Sequence, residues 1–106
     1  MINIEEIKKA HNRIMPYIHR TPVLTNKSLN EICGAELYFK CENFQKAGSF
    51  KIRGATNAVM LLDDNCISRG IVTVSSGNHG AALAMAVQLR DGKTHVIMPK
   101  NTPNIK

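Results

Sequence analysis

Apolar residues recur at Ile4, Ile7, Ile14 and Ile18, close to helical spacing, and Asn3 followed three residues later by Glu6 has the form of a capping box. This pattern predicts a helix from residue 4 to about residue 15. Pro16 marks its end, His19-Arg20-Thr21-Pro22 reads as a turn, and Val23-Leu24-Thr25 reads as a short strand. Asn26 or Ser28 then caps a brief helix through Ile32 that Gly34 closes. Residues 36–42 alternate in character, with Leu37, Phe39 and Cys41 on one face, and predict a strand. A polar loop over 43–48 follows, after which Ser49 is placed to cap a helix over 50–62.

Residues 70–74 form a short β-branched run of the kind found in buried parallel strands. A turn over 75–80, a helix over 81–89 rich in Ala, Leu and Met, a stop at Asp91-Gly92 and a strand over 94–98 complete one βαβ unit, which is right-handed in almost every fold. Thr102-Pro103 has the form of an N-cap followed by proline at the first helical position. Only Asn104, Ile105 and Lys106 come after it, so the chain is expected to be the leading part of something longer.

Composition narrows the class. With 106 residues, 43% hydrophobic and 21% charged, the chain fits one soluble domain at most and is neither collagen-like nor disordered nor a disulfide scaffold. It has no Trp, two Tyr and three Phe, so its interior must be aliphatic. The net charge of +6 favours anionic partners. The basic residues are scattered, only Lys8 and Lys9 are adjacent, and no aromatics interleave with them, which argues against a nucleic-acid groove and for small anions. Cys33, Cys41 and Cys66 show no C-x-x-C spacing, so neither a disulfide framework nor a metal site is expected. The early acids and the lack of an apolar run near ~18 residues predict a cytoplasmic chain without a membrane anchor.

Two junctions carry candidate chemistry. Each follows a strand and enters a helix, where unpaired backbone N–H groups and the dipole favour phosphates and carboxylates. One presents Ser49-Phe50-Lys51, the other Ser75 through Gly80. In open α/β sheets ligands collect at the carboxyl ends of strands, where both would lie. Gly77-x-x-Gly80 lacks the first glycine of a dinucleotide fingerprint, and Gly48-Ser49-Phe50-Lys51 lacks the spacing of a Walker loop.

As strings the same residues are specific. Phe39-Lys40-Cys41-Glu42, Phe44 through Ala55 and Ser75-Ser76-Gly77-Asn78-His79-Gly80 closely resemble the serine/threonine dehydratase and serine racemase family. The stretches from Ala10 to Thr25 and from Met98 to Lys106 resemble it too, in the same order. The resemblance implies an α/β, parallel-sheet, three-layer type II pyridoxal-phosphate fold, similar to the tryptophan synthase β subunit and incomplete in this chain. Residues 1–65 would belong to the larger cofactor domain with its lysine helix, and 66–106 would begin the smaller domain.

The resemblance further implies pyridoxal 5′-phosphate as cofactor, Lys51 as the Schiff-base lysine, Phe50 packed beside the cofactor, and Asn78 bonded to its ring hydroxyl. Ser75, Ser76, Gly77, Asn78 and His79 would grip the substrate carboxylate, with Ser76 as acid or base on the face opposite Lys51. An imine needs a neutral amine, while a free lysine has a pKa of ~10.4. A semi-buried helix N-terminus is expected to help by desolvation and dipole.

The implied activity is deamination of L-threonine or L-serine to a 2-oxo acid and ammonia, with racemisation as the alternative. Two departures stand out: Ala47 where members commonly carry threonine, and Ala81 where they commonly carry glutamine. The family's glycine-rich phosphate cup lies beyond the position matching Lys106, so the isolated chain is expected to have little activity. A non-catalytic truncated homologue is a further alternative. For the full-length form a small amino-acid substrate and a homo-oligomer are implied, with no nucleic acid or membrane partner.

Overall fold

The computed structural model describes residues 2–104. Helix α1 spans Ile4–Ile14, and Asn3 caps it as its pattern requires, Oδ1 accepting from the Glu6 N–H at 3.0 Å. A 3₁₀ turn at Met15–Tyr17 carries Pro16 and ends it. Strand β1 is Val23–Leu24, and α2 is Lys27–Cys33. Asn26 caps α2, and Gly34 closes it at φ 62°, a left-handed conformation that glycine takes without steric cost.

The strand expected over 36–42 is only Phe39–Lys40, here β2. It pairs antiparallel with β1, Val23 opposite Lys40 and Leu24 opposite Phe39. Phe39 remains exposed, so no buried face rewards a longer ladder.

Helix α3 spans Lys51–Met60 and α4 spans Asp64–Arg69. The second was not anticipated, although Asp63 is a sound N-cap and accepts from the Cys66 N–H at 2.6 Å. Strand β3 (Ile71–Val74), helix α5 (Asn78–Gln88) and strand β4 (Thr94–Ile97) form the expected parallel βαβ unit, with Ile71 opposite Thr94 and Val74 opposite Ile97. Thr102 bonds back to the Pro99 carbonyl at 2.7 Å. The rest of the expected terminal helix start, at Ile105 and Lys106, lies outside the described residues.

One core joins these elements. Ile52, Ala55 and Val59 of α3 meet Ala82, Leu83, Ala86 and Val87 of α5, with Ile67 of α4 closing the end. Both sets follow the three-and-four spacing of one helix face. The alanines let α3 and α5 pack closely, and this single cluster draws on both sides of residue 65. Among the described residues, the β3–β4 sheet is covered by α5 on one face only. Val72, Val74 and Ile97 on the other face are exposed, whereas parallel sheets in complete folds are covered on both.

Candidate active site

The segment leading to Lys51 is fixed by Gln45, which is buried. Its Oε1 accepts from the His19 N–H at 2.8 Å and the Lys46 N–H at 2.9 Å, and its Nε2 donates to the His19 carbonyl at 2.7 Å. Two successive left-handed residues follow, Ala47 at φ 60° and Gly48 at φ 67°. Glycine bears this freely, whereas an alanine there costs about 1 kcal/mol. The turn is thus held by its anchors rather than by local preference.

Ser49 does not cap α3 as expected. It is extended and buried, its hydroxyl has no partner among the described residues, and Phe50 takes the N-cap position. Lys51 opens the helix with its Nζ 5.1 Å from the centroid of the Phe50 ring, a cation–π distance. Both side chains are exposed. The semi-buried setting expected for Lys51 is therefore not supplied by these residues.

Behind Lys51, Arg53 grips Glu42 with two nitrogens, Nε to Oε2 at 2.8 Å and Nη2 to Oε1 at 2.7 Å. The buried Thr21 hydroxyl donates to the same Oε1 at 2.5 Å, and Lys40 Nζ donates to the Thr21 carbonyl at 2.7 Å. The Arg53 bonds, helped by Thr21 and the nearby Lys40 charge, pull the Glu42 carboxyl from its ordinary 4.5 down to about 2. Arg53 is raised in turn by the same bonds.

The second junction begins where Ser75 continues the sheet ladder, its N–H donating to the Ile97 carbonyl at 3.0 Å. The Ser75 hydroxyl accepts from the Gly80 N–H at 3.0 Å and the Gly77 N–H at 3.3 Å, so it shapes the loop from within. Residues 78–80 are not turn, as expected, but the first turn of α5. Ser76, Asn78 and His79 are exposed there. At Gly80 any Cβ would sit 2.9 Å from Val96 Cγ1 and 3.4 Å from Ser75 Cβ, so glycine lets α5 start directly over the strand ends. Gly77 and Asn78 line a cavity of 400 Å³ together with Ala81, Ala84, Val96 and Met98.

The two junctions share one body. Helix α5 packs against both α3 and the Lys46–Gly48 turn that leads to Lys51. Lys51 itself does not line the 400 Å³ cavity. A second cavity, of 580 Å³, gathers His11, His19, Arg20, Lys40 and Arg53, a convergence that their scattered sequence positions concealed. Long-range packing makes it, and no spacing rule would have found it.

An exposed primary amine on a helix start, an aromatic ring beside it, and a second helix start bearing exposed hydroxyl and amide groups fit an enzyme that works through a lysine-bound carbonyl cofactor. Residues 14–106 match the family described as pyridoxal-phosphate dependent enzyme, and the chain belongs to that family, whose cofactor is pyridoxal 5′-phosphate. Serine racemase of Dictyostelium discoideum is 55% identical over 105 residues, covering 99% of this chain and 32% of that protein. The β-hydroxyaspartate dehydratase of Paracoccus denitrificans (strain Pd 1222) is 52% identical, covering 96% and 32%.

Among solved structures, maize serine racemase superposes with a TM-score of 0.92 at 52% identity, covering 96% of this chain and 31% of that one. The T.th. threonine deaminase gives 0.84 at 40%, covering 93% and 34%. The fold is thus the α/β type II pyridoxal-phosphate fold, in part, and the chain spans about a third of the length of the relatives it matches. An exposed Lys51 amine with the Phe50 ring 5.1 Å away, and an exposed Asn78 amide on the second helix start, are groups that would fit an aldehyde and an aromatic ring. No glycine run able to cradle a phosphate occurs among the described residues.

Proposed function

We propose that these residues form the lysine and carboxylate-binding part of a pyridoxal-phosphate-dependent serine racemase. What carries this reading is an exposed Lys51 at the start of α3 and an exposed Ser76 just before α5, on two helices packed against each other, in a chain 55% identical to a serine racemase. Deamination, ranked first on the residues alone, becomes the second reading, supported by the dehydratase and deaminase relatives.

When bound, the cofactor supplies an aldehyde for the amine and a ring that takes up the electron pair of the substrate α-carbon. Lys51 Nζ removes the α-proton on one face, and the Ser76 hydroxyl returns one on the other. Asn78 would hydrogen-bond the ring hydroxyl, and Phe50 would pack beside the ring. The N–H groups at the start of α5, with Ser76, Asn78 and His79, hold the substrate carboxylate, while Ser75 and Gly77 keep the loop in shape. The substrate is a small hydroxy amino acid. The reading includes the division near residue 65, a homo-oligomeric full-length form and a cytoplasmic location; no helix among the described residues is long and apolar enough to cross a membrane.

The test grafts residues 1–104 onto the remaining two-thirds of the Dictyostelium racemase and supplies L-serine and cofactor. D-serine is the expected product. Pyruvate and ammonia without D-serine would move the assignment to the second reading, and neither product with an intact fold would defeat both.

A further inference from the structure

Lys51 and Arg53 are two positions apart on α3, and at 3.6 residues per turn they project about 200° apart around its axis. The guanidinium therefore holds the back of the first turn while the amine leaves from the front. Its partner Glu42 lies in the 3₁₀ turn Glu42–Phe44, directly after β2. Glu42 is itself fixed by the buried Thr21 hydroxyl, and three residues on Gln45 ties the same chain segment to His19. Two inward side chains of one short stretch thus bolt the approach to Lys51 onto residues 19–21. The Glu42–Arg53 pair is mostly sheltered, with side chains 17% and 28% exposed, where a two-pronged geometry is worth more than surface charge.

We propose that Glu42 is a positioning residue for Lys51, acting through Arg53 to fix the first turn of α3, so that the amine is presented in one orientation. This rests on the reading of Lys51 as the cofactor lysine. The arrangement answers a local weakness: α3 has no side-chain cap at Phe50 and is entered through the left-handed Ala47, so its first turn would fray without an external hold.

Two readouts on the 106-residue chain separate the claims. Amide exchange by NMR compares Arg53, Gly54 and Ala55 with Ala86 and Val87 in α5. Glu42→Gln is expected to speed exchange in the first group about tenfold while leaving the second within about twofold. A merely stabilising contact would move both groups together, and that result overturns the proposal.

The second readout is site mapping with pyridoxal phosphate. Lysine Nζ condenses with the aldehyde, losing water, and borohydride delivers hydride to the new carbon–nitrogen double bond, leaving a secondary amine that mass spectrometry locates. The share of label at Lys51, relative to exposed Lys8 and Lys93, is expected to fall about threefold in Glu42→Gln. Arg53→Lys, which keeps the cation and loses the fork, is expected to behave alike; an unchanged share in either folded variant counts against the proposal. If the parent chain shows no preference for Lys51 while the exchange difference persists, the cofactor-lysine reading fails and the hold on α3 stands. Should Glu42→Gln not fold, Thr21→Val removes one donor to the same oxygen and must show the exchange effect in weaker form, its absence overturning the proposal.

Discussion

Arg90, just past the end of α5, donates from Nη1 to the carbonyl of Leu62 at 2.5 Å. The same nitrogen reaches the Val59 carbonyl at 2.9 Å, and Nη2 meets the Asp64 carboxylate. One side chain thereby satisfies the Leu62 carbonyl just past the end of α3, adds a bond to the Val59 carbonyl that the Leu62 N–H already reaches at 3.2 Å, and ties both to the start of α4.

Replacing Arg90 with Ala leaves the Leu62 carbonyl without its donor and removes the charged bonds to Val59 and Asp64, and the expected loss is about 2 kcal/mol of unfolding free energy. Urea denaturation checks it. Arg90→Lys should recover part of the loss, since one amine can reach one carbonyl; an Ala variant as stable as the parent would remove Arg90 from this role.

Acid should act through Glu42. Its folded value of about 2 lies below the ordinary 4.5, so the pair's contribution is complete above about pH 4.5 and is lost as the pH falls through about 2. Asp63, lowered by its bond to the Cys66 N–H, shifts the same way, so the comparison must be with Glu42→Gln. The stability gap between parent and variant should be widest at neutral pH and close towards pH 2. A constant gap across that range contradicts the assignment.

The core should tolerate neither loss nor gain of volume. Ile52, 1% exposed and next to Lys51, should cost about 3 kcal/mol as Ala. At Gly92 a Cβ would lie 2.7 Å from Val87 Cγ1 and 2.9 Å from Ile67 Cγ2, both on stiff branched side chains in the core. Gly92→Ala should therefore cost about 1–3 kcal/mol by overpacking. Thermal melts of the two variants provide the check.

Ser76 divides the two candidate reactions. In the grafted protein, Ser76→Ala should lower D-serine formation at least about a hundredfold, the usual worth of a positioned acid or base, while elimination falls much less. Equal loss of both activities would assign Ser76 to substrate binding instead.

Local chemistry made much of this legible. Asn3, Asn26 and Gly34 announce their helix ends because a cap is a contact within a few residues. The β-branched run at 71–74 announces a strand for the same reason. The strand over 36–42 failed because alternation signals a buried face that this segment lacks, and the cap at Ser49 failed because Gln45 and the left-handed Ala47 set the entry angle from outside the helix. The lysine and the Ser75–Gly80 junction were visible as strings. The Glu42–Arg53–Thr21 cluster and the cavity with Arg20 and His11 were not, since their members come from distant parts of the chain.

The bare face of the β3–β4 sheet makes ionic strength the governor of this chain's colloidal behaviour. Val72, Val74 and Ile97 offer a sticky surface, and a net charge of +6 keeps copies apart only while its field reaches between them. That reach shrinks to about 10 Å at 0.1 M salt and about 3 Å at 1 M. Light scattering should therefore rise with added salt, against the behaviour of a protein whose contacts are ionic, and Val74→Lys should quiet it.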